Sequence, residues 1–128
     1  GEGGFKSYEA KPNFDYDRLI EDNYISMISM ARLKTVNIAG RINEHLTYGE
    51  DWSLWLKCCS RGIAVRVAKP LFQYRSHPES LTNSVDWEVY GRDKHIIMAE
   101  TAVRHKAATF NDLMIAHNDK VRFMAERL

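Results

Sequence analysis

The stretch Gly49-Glu50-Asp51-Trp52-Ser53-Leu54-Trp55-Leu56-Lys57, closing on Ser60-Arg61-Gly62, constrains the fold more than any other part of this 128-residue chain. Trp52, Trp55, Leu56 and Cys59 recur at helical spacing, so a helix over Glu50–Arg61 with that face turned inward is expected. Its acids stand at the start, Lys57 and Arg61 stand near the end, and Gly62 follows. Each choice suits the helix dipole and a glycine stop. Around this helix the composition is ordinary for a globular protein, at 45% apolar and 27% charged residues, which excludes disordered, collagen-like and low-complexity classes. The net charge of 18 − 17 = +1 argues against a nucleic-acid binder driven by phosphate attraction. The length suits one domain or part of a larger one.

The rest of the chain divides by pattern. Residues 1–13 are Gly-rich and polar and read as a flexible N-terminal segment. Residues 15–23 suit a short helix with an acidic start, and Ile25–Met30 suits a buried strand. Ala31–Ile38 reads as a short helix with Gly40 as its left-handed stop. Ile63–Val67 alternates as a strand does, Lys69-Pro70 interrupts it, and Leu71–Tyr74 reads as a second short strand. His77-Pro78-Glu79-Ser80 is a turn. Beyond residue 84 the pattern becomes helical, with helices expected over roughly 84–107 and 111–126.

Cys58 and Cys59 are adjacent, a poor geometry for a disulfide, so a reducing compartment is favoured. No run approaches the ~20 apolar residues of a membrane span. No signal-peptide pattern is visible and no initiator Met opens the chain, which fits a processing product, a cloning remnant or a piece of a longer protein.

Three segments in order carry a resemblance: Val36-Asn37-Ile38-Ala39-Gly40-Arg41-Ile42-Asn43-Glu44-His45-Leu46, then the Glu50-Asp51-Trp52 helix, then Pro70-Leu71-Phe72-Gln73-Tyr74-Arg75-Ser76-His77-Pro78-Glu79-Ser80-Leu81. Over roughly residues 14–83 the chain resembles the C-terminal, acceptor-side half of a family 2 glycosyltransferase of the GT-A fold. The resemblance implies an α/β architecture, here a partial GT-A-like unit over 14–83 with a helical extension over 84–128. It implies an inverting hexosyltransferase of polysaccharide biosynthesis, which moves a sugar from a nucleotide-sugar donor to a hydroxyl of a glycan or lipid-linked acceptor. A cytoplasmic location follows, the inner face of the membrane included. Peripheral membrane association and homo-oligomers are compatible with it.

Residue roles follow from the same match. Asp51 is the general base, a role typically worth ~100- to 10,000-fold in rate. A carboxylate in the first turn of a helix is also held as the anion by ~0.3–1 kcal/mol, so Asp51 and Glu50 equally suit a capping role. Glu50 and Trp52 face the acceptor sugar, although Trp52 suits core packing as well, and Trp55 reads as core. Arg75, His77 and Ser80 face the diphosphate, Arg75 through charge-assisted hydrogen bonds. His77 is in addition a candidate metal ligand; the alternative is an ordinary surface loop.

The divalent cation of such enzymes, Mg or Mn, sits on an Asp-x-Asp motif. Asp15-Tyr16-Asp17 has that spelling but follows no apolar strand, and helix capping suits it better. The nucleotide-binding half is absent from this sequence. The isolated chain is therefore expected to bind no donor or cation strongly and to turn nothing over. The exposed apolar surface left by the missing layer calls for cover. The rival reading is a non-catalytic acceptor-binding or assembly module. A helical interaction domain centred on 84–128 is a third.

Overall fold

The computed structural model describes residues 10–80 and 84–104. They form four helices: α1 (Tyr16–Glu21), α2 (Leu33–Ile38), α3 (Glu50–Cys59) and α4 (Trp87–Arg104). The expected helix over 111–126 and the 1–9 part of the N-terminal segment lie outside the described residues.

The helix ends follow local chemistry. Asp15 caps α1, its Oδ1 accepting the N–H groups of Asp17 at 3.0 Å and Arg18 at 3.3 Å, so the Asp15-Tyr16-Asp17 triplet serves a helix start. After α2 the chain turns left-handed at Gly40 (φ 90°) and Arg41 (φ 64°). Arg41 N–H reaches Val36 C=O at 3.0 Å and Gly40 N–H reaches Asn37 C=O at 3.2 Å. This pair of bonds is a Schellman closure, which satisfies carbonyls that the helix end leaves open. Asp86 caps α4 through Glu88 and Val89 N–H at 3.1 and 3.3 Å. Helix α3 ends on Ser60 in ordinary helical geometry, and Gly62 is not left-handed, so the expected glycine stop is absent there.

The α/β expectation does not hold. The described part is 43% helix and contains no strand or sheet, so it is not a GT-A-like fold. Segments 24–32 and 62–76 are irregular, with bends at residues 25, 27, 28, 62 and 69, and a strand needs a ladder partner that neither has among the described residues. Within 62–75 the described residues make one backbone–backbone bond, Lys69 N–H to Val67 C=O at 2.9 Å. Ile25–Met30 is not buried either: Met30 is 100% exposed. Ile63, Val65, Val67, Leu71 and Tyr74 also stand in solvent.

The core lies instead where α1, α3 and α4 meet. Leu19 and Ile20 of α1, Trp52 and Leu56 of α3, and Ile97 and Met98 of α4 pack together with Tyr24 and Leu46. The Trp52 indole N–H donates to Leu19 C=O at 2.7 Å, which ties α3 to α1 with a buried hydrogen bond. No helix among the described residues is long and apolar enough to cross a membrane.

Candidate functional site

An open space of about 2560 Å³ is bordered by the start of α3, by the irregular segments 24–32 and 62–76 and by part of α4. The loop before α3 sets its geometry. Thr47 and Tyr48 donate their N–H groups to Asp93 Oδ2 at 2.8 and 2.9 Å, and the Asp93 side chain is fully buried. Burial by itself would raise the Asp93 carboxyl pKa. The N–H bonds of Tyr48 and Thr47, with the hydrogen bond and charge of Arg92, outweigh it and hold the group below the ordinary carboxylate range. Gly49 then turns left-handed (φ 73°) and delivers Glu50 and Asp51 into the first turn of α3.

Asp51 is half-buried on the groove wall. Its Oδ1 accepts Trp52 N–H at 2.7 Å and the Asn23 amide at 3.3 Å. Neither of these bonds uses Oδ2, so one carboxylate oxygen is held and the other is left for a ligand. Glu50 is half-buried on the same wall. Trp52 is 1% exposed and committed to the core, so its ring offers almost no face to a sugar. Trp55 is half-buried against the core cluster.

Arg75 and Ser80 line the same groove as Asp51. His77 does not: it opens the turn closed by Ser80 N–H on its carbonyl at 3.1 Å, and it is absent from the groove wall. Among the described residues no group of three or more His, Cys, Asp or Glu could hold a metal ion. Both cysteines are free, and burial pushes the Cys59 thiol up to about 11, which leaves it a poor nucleophile.

An aromatic cluster joins the loop before α3 to α4. Tyr48 and Tyr90 pack edge to face at 5.7 Å, and Trp87 packs edge to face on Tyr90 at 5.3 Å. Lys94 Nζ lies 5.0 Å from the Tyr90 ring and 5.0 Å from the Trp52 ring. Burial raises the Tyr90 phenol pKa, and the Asp22 carboxylate adds to the rise. Trp87 and Tyr90 at i and i+3 were the available signal, but nothing in the chain pairs them with Tyr48 until the fold forms.

No protein-family model matches the chain, and neither does any curated protein or solved structure.

Proposed function

We propose that the chain is the acceptor-side part of an inverting glycosyltransferase, with Asp51 as general base. In this reaction the acceptor hydroxyl oxygen attacks the anomeric carbon of a nucleotide sugar and a C–O bond forms. The bond from that carbon to the diphosphate oxygen breaks, and the nucleoside diphosphate leaves with the electron pair. The hydroxyl proton passes to Asp51. Attack opposite the leaving group inverts the anomeric centre. Arg75 supplies positive charge for the diphosphate, and Ser80 orients its loop.

The observation that carries the reading is that Asp51 is fixed through Oδ1 by Trp52 N–H and the Asn23 amide while Oδ2 stays outside these bonds. A base must be fixed in place and still have a lone pair facing its substrate. The test uses the full reading frame that contains these residues, incubated with radiolabelled UDP-, GDP- and dTDP-sugars. Asp51→Asn should abolish transfer and spare nucleotide binding. Transfer that survives the substitution removes Asp51 from the role of base.

The assembly-module reading draws support from a separate feature, the solvent-exposed apolar residues of 27–30 and 63–74. Under that reading the chain forms a defined oligomer in light scattering, Val65→Lys dissolves it, and no labelled sugar is transferred.

A further inference from the structure

We infer that Asn23 is the positioning residue of Asp51: its carboxamide N–H holds Asp51 Oδ1 from outside α3 and so fixes the direction in which Oδ2 is offered. The inference rests on the transferase reading above and adds to it the group that orients the base. A general base works only when its open lone pair points at the proton it takes, and a displacement of about 1 Å costs on the order of 100-fold in rate. The Trp52 N–H, 2.7 Å from Oδ1, belongs to the next residue of the same helix. It ties the carboxylate to its own backbone and leaves the carboxylate plane able to swing about that bond. Asn23 Nδ2, 3.3 Å from the same oxygen, comes from a turn 28 residues away. Two donors that meet on one oxygen from different elements fix the plane, and neither bond takes Oδ2.

The chain around Asn23 holds that donor in place. Asp22 closes α1 with its N–H on Arg18 C=O at 2.9 Å. Tyr24 N–H returns to Asp22 C=O at 3.0 Å, the i to i+2 bond of a γ-turn with Asn23 at its centre. Tyr24 is buried, and its hydroxyl donates to Asp15 C=O at 3.0 Å and accepts Asp15 N–H at 2.8 Å. The bond from the Trp52 indole to Leu19 C=O then sets the distance between this turn and the start of α3. Asn23 itself is exposed and stands outside the core cluster, so its carboxamide is not part of the core packing.

Two variants test the role. Asn23→Leu keeps the branched shape and removes the donor, and Asn23→Gln keeps a carboxamide on a longer stem. Because Asn23 is exposed, both should fold, as circular dichroism checks. In the 128-residue chain, with no substrate, three-bond NMR couplings from Asp51 Cγ to its backbone N and C′ report the order of the side chain. They should show a single rotamer in the parent and in Asn23→Gln, and an average over several in Asn23→Leu. In the full reading frame Asn23→Leu should lower kcat about tenfold with the acceptor KM unmoved, and Asn23→Gln should regain most of it. A contact that only stabilised the fold would move neither the couplings nor kcat well below the unfolding temperature. Averaged couplings in the parent, or couplings that Asn23→Leu leaves unchanged, overturn the inference. The two proposals fail separately. Couplings that lose their order in Asn23→Leu, with no transfer by the full reading frame, remove the transferase and keep Asn23 as the clamp on Asp51. Transfer that Asp51→Asn abolishes and Asn23→Leu leaves at the parent kcat does the reverse.

Discussion

A carboxylate cut off from solvent persists as an anion only where donors replace the water it has lost. Asp93 meets that condition with two backbone N–H groups and Arg92, and through them it holds the Thr47–Tyr48 backbone against α4. In Asn the remaining oxygen can still accept both N–H groups, which Oδ2 alone takes in Asp93, but an amide NH2 then faces the Arg92 guanidinium in place of Oδ1 and the charge is lost. Asp93→Asn is expected to lower unfolding free energy by about 2–4 kcal/mol in urea titrations. The pH dependence has a definite sign. The folded pKa of Asp93 lies below its unfolded value of about 3.9. The stability it contributes is complete above the unfolded value and is lost as pH falls through the folded one. Acid unfolding should therefore be shallower in Asp93→Asn than in the parent. Nothing in the spelling Arg92-Asp93-Lys94 marks the middle residue as buried. Its burial depends on a loop 45 residues away, beyond the reach of local pattern.

Helices were largely legible because their signals are local. Asp15 before α1, Gly40 after α2 and the paired acids of α3 all sit within four residues of the ends they define. The strands were misread for the converse reason. Alternation in Ile63–Val67 reports what a segment would do beside a partner, and the partner is not in the sequence of the segment itself. The α3 start also carries a constraint invisible to periodicity. Gly49 is left-handed, and a Cβ there would come within 2.9 Å of Ile97 Cδ1. Gly49→Ala is expected to cost about 1–3 kcal/mol, from backbone strain plus the shift forced on Ile97. Thermal unfolding followed at 222 nm checks it. Ala at Gly91, where no atom lies within 4 Å and φ is ordinary for a helix, is the control and should be neutral or slightly stabilising.

On the scale of the whole molecule, the described chain is a three-helix contact with long irregular arms. The candidate site was legible only in part. Asp51 and Arg75, expected from the resemblance, both border the open space beside α3. Trp52 was read as both sugar-facing and core, and the core holds it. The packing of Tyr48, Trp87 and Tyr90 has no contiguous spelling, because it joins α4 to the loop before α3.

The irregular arm of 62–76 also determines how the molecule meets a protease, since a protease reads polypeptide in extended form. Arg66 and Arg75 lie in that arm and Arg61 at its edge, whereas Lys57 and Arg92 are helical. In a chain carrying Arg32→Gln and Arg41→Gln, which removes the exposed basic residues of the other irregular segments described, brief trypsin treatment should therefore cut between residues 61 and 76, sparing the Lys69–Pro70 bond, which trypsin handles poorly. Leu19, Trp52 and Leu56 then belong to one piece and Ile97 and Met98 to the other, yet all five share one core. Two bands on a denaturing gel should accordingly elute as a single species under native conditions. Early cuts within α3 or α4, or pieces that separate on the column, would contradict this architecture. Nicking would thus convert one polypeptide into two complementing halves that can be exchanged, labelled and recombined.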